Sequence, residues 1–411
     1  MNQKIKNIII LFALVFAQKI IAQESSPYSY FGIGTLNNVD NTRNVSLGNT
    51  GIALEAPDYI NSKNPASLTS IGLQKNVIFD IGGSLKSNSI SSNQGTDNRV
   101  SGNFTNLGLA MKVSNKFFVA ANVQPTTSTD YKFVSTVPIE GTSANFPITY
   151  EGSGGISNLG VSLGYRINNN WSVGGKAKNN FGTIIRKEII TTTSELEISR
   201  NVRYTGFSYG LGTQYNKYFP KERLQLTFGA IVNFKSNLNA KGETIYTENK
   251  DYNNSVTTKL SSKNSTLPLE MGIGVSILKN DRYRFSLDYT QSNWNEVKNT
   301  VTTEKYYRQS VYGLGFELLP ERKNSQIFSE NLIYRFGLNY DTGYYKVNNR
   351  EINKMEATVG VGIPMNKINL NVGYGYGKRG ILNNSAIKEN YHMLNISIDF
   401  LDKWFAKKYL N

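Results

Sequence analysis

The sequence predicts an all-β fold: a 14-stranded antiparallel transmembrane β-barrel with an N-terminal hatch segment inside the lumen. Three observations point there. From residue 76 onward, apolar and polar residues alternate with period two, the pattern of strands whose two faces meet unlike surroundings. Short turns alternate with longer polar links between these segments, as in outer-membrane barrels. The one long apolar run lies at the N-terminus, so the rest of the chain can cross a membrane only as strands.

Residues 1–22 read as a signal peptide. Lys4 and Lys6 form its basic region, Ile8 to Ala17 its apolar stretch, and Ala22 the small residue before the cut. An uncleaved anchor is the rival reading, but the run is too short to span a bilayer. No cysteine follows the cleavage point, so no lipid is attached there. Removing Lys4, Lys6 and Lys19 lowers the formal charge by three, from +15 to +12.

Residues 23–75 do not alternate. They are rich in Gly, Asn, Ser and Pro, with apolar points such as Tyr28, Phe31, Ile52, Leu54 and Leu68. A wide barrel offers such a segment a place to bury those points, which predicts a hatch or plug; a periplasmic arm is the competing reading.

Residues 76–405 are the predicted barrel. Its strands are read at 76–90, 100–113, 116–135, 148–167, 170–195, 200–217, 222–247, 255–278, 281–298, 306–318, 331–345, 351–363, 367–379 and 389–401. The alternation is plainest where Tyr283, Phe285, Leu287 and Tyr289 interleave with Arg284, Ser286 and Asp288. The polar face, mostly Gly, Asn, Ser and Thr, makes a poor packed core and a good wet lumen. Fourteen strands also enclose more space than side chains fill. Both features turn the apolar face toward lipid, against a secreted sandwich or propeller. Aromatics near strand ends, such as Phe117, Tyr165 and Trp171, suit interfacial girdles. The mean hydropathy of −0.37 fits a half-wet barrel. Residues 406–411 are left as a short periplasmic tail.

Several segments together are family-like. Ser26-Pro27-Tyr28-Ser29-Tyr30-Phe31-Gly32-Ile33-Gly34 opens the mature chain, and Asn64-Pro65-Ala66-Ser67-Leu68 closes the irregular segment. Lys378-Arg379-Gly380, Ile387 to Tyr391 and the ending Asp402-Lys403-Trp404-Phe405 complete the set. Over the whole mature chain this resembles the Bacteroidota branch of the FadL-like outer membrane transport family. The resemblance implies a monomeric barrel whose hatch plugs the lumen. It also implies passive uptake of hydrophobic, fatty-acid-like molecules, released sideways through the wall near a kink in the third strand. The hatch motif then falls on Asn64, Pro65 and Ala66. Some relatives serve instead as accessory subunits of secretion or outer-membrane assembly complexes, without transport. The predicted outer loops are short and polar and form no greasy surface trap, which weakens the case for fatty acids.

Pro125 lies in the predicted third strand. Proline removes a ladder donor, so in a closed barrel it marks a break in pairing and a candidate lateral gate. Alternatively, it sits where that strand leaves the membrane. Arg166, Lys176, Arg284 and Arg335 fall on the polar face as candidate lumen charges for an anionic head group. Asp80, Glu270, Asp288 and Asp399 share that face and offer them internal ion pairs.

Chemistry is otherwise sparse. The chain has no cysteine and a single histidine, which excludes disulfides, thiolate metal sites and multi-histidine metal sites. His392 shares the lipid-facing parity of Leu394 and Ile396 and reads as an interfacial residue, so no enzyme, metal or cofactor is expected. The 45 basic residues are dispersed, which argues against nucleic acid. The expected partners are outer membrane lipid and lipopolysaccharide, a hydrophobic ligand, the barrel assembly machinery that reads the last strand, and other complex subunits.

Overall fold

The computed structural model describes residues 26–37, 40–72, 77–138, 145–192, 194–297, 305–320, 325–347, 350–380, 382 and 387–403. The signal peptide, Trp404, Phe405 and the tail at 406–411 lie outside the described residues.

The fourteen barrel strands are β1 (Val77–Ser92), β2 (Gly95–Lys112), β3 (Phe117–Pro138), β4 (Asn145–Arg166), β5 (Trp171–Thr191), β6 (Glu195–Phe219), β7 (Leu224–Asn233 continued by Ser236–Glu248), β8 (Val256–Leu267 continued by Glu270–Lys279), β9 (Tyr283–Ser292), β10 (Gln309–Leu318), β11 (Ile333–Asp341), β12 (Lys354–Pro364), β13 (Ile368–Arg379) and β14 (Lys388–Asp402). Each pairs antiparallel with its sequence neighbours. β14 closes the ring on β1, in register from Asp402 opposite Val77 to Lys388 opposite Ser91. Closure leaves few open sheet edges, which a bilayer requires.

Local chemistry sets the turns. β8 and β9 are joined by three residues, Asn280 to Arg282. Asn280 and Asp281 sit at φ 54° and 55°, the left-handed pair a type I′ turn needs, and the Arg282 N–H donates to the Lys279 carbonyl at 3.1 Å. This and the other short turns share one end of the barrel. In outer-membrane barrels that end faces the periplasm. A belt of apolar side chains covers the outside, including Leu163 at 56% exposed, Ile273 at 63% and Phe285 at 51%. A belt that broad in water would be an aggregation surface, whereas lipid accommodates it. The chain is an outer membrane barrel protein.

Two features depart from the sequence reading. β7 breaks at Phe234 and Lys235, and its inward face changes parity there. Thr227, Gly229 and Ile231 point inward before the break, and Ser236, Leu238 and Ala240 after it. A one-residue slip exchanges the two faces of a strand, so the run read as 222–247 is two strands in series. The outer half of the lumen is also apolar rather than wet. Tyr28 and Ile33 of the N-terminal segment cluster there with Ile156, Ile184, Tyr204 and Leu238 of the long strands. Trp294, Tyr306, Tyr344 and Tyr345, read from the sequence as strand residues, lie outside the barrel strands and fold onto this cluster; the Trp294 and Tyr344 rings stack at 4.4 Å.

The N-terminal segment runs along the inside of the barrel. Its short helix α1 (Thr42–Ser46) lies against β11, β12, β13 and β14. Its first residues reach the long-loop end, where the Tyr28 hydroxyl donates to the Ile387 carbonyl. Residues 65–70 form a 3₁₀ turn near the short-turn end.

Candidate functional site

The ladder between β2 and β3 stops halfway. It runs from Lys112 opposite Phe118 to Leu107 opposite Val123 and no further. Beyond that point β2 pairs only with β1, and β3 only with β4 and the N-terminal segment. Each strand beside the gap carries an extra residue at this height. Thr105 bulges out of the β1–β2 register, and Thr126, directly after Pro125, bulges out of β3–β4. Pro125 has no N–H to give to β2, so the interruption begins where a donor is missing. Higher up, the Arg99 guanidinium spans the gap to the Lys132 carbonyl at 2.8 Å.

The exposed edge of β3 is covered from inside. Thr35 and Leu36 pair with Ser128 and Thr127 as a short strand. The Ser26 N–H donates to the Asp130 carbonyl and the Asn37 N–H to the Thr126 carbonyl, both at 2.9 Å. The segment thus satisfies backbone groups that the missing β2 ladder would otherwise leave open.

Two cavities lie behind the gap. One of about 80 Å³ is lined by Ser101–Thr105 and Pro125 at the wall and reaches Lys86, Glu356 and Tyr391. The second, of about 270 Å³, lies between the N-terminal segment and the inward faces of the long strands, with Lys176, Lys178, Ile231, Glu270 and Trp294 in its wall. Leu36, Asn37, Asn49 and Gln309 line both, so the two adjoin.

The four candidate lumen charges are all engaged. Glu317, with its side chain fully buried, binds Arg284 Nη1 and Arg335 Nε at 2.9 Å each, and Arg43 of α1 at 2.9 Å. Arg335 also donates to Asn371 Oδ1, which leads through Asn371 and Asp399 to Asn41. Burial alone would lower the Arg43 pKa, but the facing carboxylates of Glu317 and Asp58 hold it above the usual guanidinium value. Lys176 Nζ donates to the carbonyls of Ser62 and Lys63 at 3.4 and 3.0 Å. Arg166 donates to the Thr69 carbonyl and lies over the Phe118 ring at 5.3 Å. All four therefore hold protein groups. The sequence missed Arg43 and Glu317 because neither stands out in its own segment; only the fold brings them together across 274 positions.

Asn64, Pro65 and Ala66 pack against β4, β5 and β6 rather than lining the cavity beside the gap. Asn64 caps the 3₁₀ turn by accepting from the Ala66 N–H at 3.1 Å, and donates to the carbonyls of Ile52 and Thr213 at 2.7 and 3.0 Å. The fit requires bare backbone on the wall. A Cβ on Gly212 would strike the Asn64 amide oxygen, and one on Gly174 the Pro65 backbone. His392 faces outward, its Nδ1 2.6 Å from the Tyr374 hydroxyl. Among the described residues no cluster of acidic or histidine side chains is arranged to hold a metal ion.

Known proteins place this architecture. A Pseudomonas aeruginosa FadL homologue superposes with a TM-score of 0.65 at 13% identity, over 89% of this chain and 99% of its own. The P. putida toluene transporter TodX gives 0.60 at 12%, over 91% and 100%. The monoaromatic hydrocarbon channel CymD gives 0.58 at 15%, over 92% and 100%. At these identities the likeness establishes a shared FadL-type fold. Comparison with curated protein sequences finds no significant match. The family model named BamG matches residues 4–411, and the chain accordingly belongs to the BamG family.

Proposed function

We propose that the protein is an outer membrane channel for passive uptake of hydrophobic small molecules, which leave the lumen sideways between β2 and β3. The observation that carries this reading is the gap in the wall, with adjoining cavities behind it. A molecule that partitions into lipid gains about 25 cal/mol for each Å² of apolar surface it withdraws from water, so a side exit into the bilayer is downhill. In this reading the N-terminal segment is the hatch, and Thr35 and Leu36 are its latch on the β3 edge. The fold-mates named above as toluene and monoaromatic hydrocarbon channels support the same substrate class; fatty-acid-like molecules are the other members of it. The test is uptake of labelled toluene and labelled palmitate by cells with and without the protein. Rates that are the same with and without the protein for both compounds, and for labelled benzoate as a small acid, would discard the channel.

A second reading is an accessory barrel subunit of a secretion or outer-membrane assembly complex. The observation favouring it is the uneven wall. β3 to β6 run 22, 22, 21 and 25 residues, whereas β9 to β13 run 9 to 12. At about 3.3 Å per residue the long strands extend well past an apolar band of about 25 Å, even when tilted. The excess forms a half-wall beyond the membrane. Along one register row its inward face carries Phe133 and Tyr150, which pack on Tyr30, followed by Glu188, Ile198, Tyr246 and Val256. Isolation in mild detergent separates the readings: stoichiometric co-purified subunits favour the accessory role, and a lone barrel favours the channel.

A further inference from the structure

Lys178 lies on the inward face of β5, in register between Gly160 of β4 and Ser208 of β6. Those two small neighbours leave its side chain room in the cavity of about 270 Å³. It makes no hydrogen bond or ion pair among the described residues. The other charged groups of that cavity are occupied. Asp40 accepts from Ser62 at 2.7 Å, Asn44 at 2.8 Å and Gln124 at 3.3 Å. Glu270 accepts from Asn233 at 2.7 Å and Ser292 at 3.0 Å. Lys176 is held by two carbonyls and Lys63 by the Asn49 carbonyl. One ammonium is left without a hydrogen-bond acceptor, near the Asp40 and Glu270 carboxylates, in a chamber whose other walls include Ile231, Leu267 and Trp294.

We propose that this chamber is a binding site for a compact amphiphilic carboxylate, with Lys178 holding the carboxylate and the apolar and aromatic walls holding a single ring or short chain. An ammonium withdrawn from bulk water is best satisfied by an anion that also hydrogen-bonds to it. The size is matched too. An apolar protein cavity of about 150 Å³ accommodates benzene, so this one takes a ring with a carboxylate, while a long acyl chain exceeds it. As a statement about substrate the inference rests on the channel reading, which it narrows from hydrophobic molecules in general to small acids.

The test uses the purified full barrel in detergent, with Trp171 and Trp404 replaced by Phe so that Trp294 alone reports. Quenching by 4-nitrobenzoate is compared with quenching by 4-nitrobenzyl alcohol, its neutral counterpart. The expected result is at least tenfold tighter binding of the acid. Lys178→Met should remove that preference and leave the alcohol unchanged, and Lys178→Arg should restore it. Equal affinities in the parent protein, or a preference that survives Lys178→Met, would overturn the site. If cells show no uptake while Lys178-dependent binding persists, the channel reading falls and the binding site stands.

Discussion

The Glu317 carboxylate grips the Arg43 guanidinium at two points, Nε at 3.0 Å and Nη2 at 2.9 Å, and so fastens helix α1 to the inside of strand β10. Arg284 and Arg335 complete the cluster. Three guanidinium groups share one carboxylate, so Glu317→Gln would leave buried cations short of an anion. Removing one partner of such a buried cluster costs about 3–5 kcal/mol. The N-terminal segment should then detach more easily than in Arg43→Met, which removes a cation and leaves Glu317 two partners. Protease cleavage within residues 40–72 on intact barrels checks this. Equal protection of both variants and the parent would show that the cluster is no tether.

Thr35 lies opposite Ser128 in the short ladder that covers the β3 edge. The chain has no cysteine, so Thr35→Cys with Ser128→Cys introduces a lone pair that can bridge two strands already in register. If the segment must leave that edge for passage, the oxidised protein should lose most of its uptake and regain it on reduction. Uptake unaffected by oxidation, with the bridge verified by mass, would mean that the latch stays shut during transport.

Tyr28 supplies a pH prediction. Its ring is buried against Tyr345, and burial, reinforced by the nearby Glu389 carboxylate, pushes its pKa up to about 12 from 10.0. A raised phenol pKa means that the folded arrangement prefers the neutral form. Its contribution is fully present below pH 10 and is lost as pH rises through about 12, an effect of roughly 2–3 kcal/mol at most. Tyr28→Phe also removes the hydroxyl that donates to Ile387, so it should loosen the segment slightly at neutral pH and flatten the alkaline loss. Segment protection measured by hydrogen exchange between pH 9 and 12 should follow that course. An identical alkaline profile in Tyr28→Phe would assign the loss to another group.

Much of the architecture was legible in the chain because lipid enforces a simple rule. Period-two alternation gave the strands, and the Tyr283 to Tyr289 run matches β9 residue for residue. The rule fails where lipid stops acting. Above the membrane the inward face becomes apolar at Ile156, Ile184 and Tyr204, because it packs against the N-terminal segment instead of lining water. The break at Phe234 hides in an unbroken alternating run, since a parity change needs no unusual residue. The gap was half legible. Pro125 flagged the missing donor, but the Thr105 bulge on the facing strand comes from register, which no single strand encodes. The cluster around Glu317 was partly legible: Arg284 and Arg335 stood out on the polar face, but Arg43 and Glu317 did not, because the four members lie on four separate elements.

Pro125 offers the sharpest test of the opening itself. Val has the β-propensity of its neighbours and returns the backbone N–H that proline lacks. Pro125→Val should let the β2–β3 ladder grow past Leu107 and Val123, drawing the two strands together and narrowing the space beside Ser101–Thr105. The barrel should be unchanged or slightly more stable, because one more ladder hydrogen bond contributes about 1 kcal/mol. Uptake of labelled hydrophobic substrate should drop severalfold, with slower exchange of the amides at 102–106 as the structural readout. Slowed exchange with normal uptake would mean that the gap closes without consequence and that molecules leave the lumen by another route. Unchanged exchange with normal uptake would mean that the bulge at Thr126 is held by the N-terminal segment, through the Asn37 N–H on the Thr126 carbonyl, rather than by the proline.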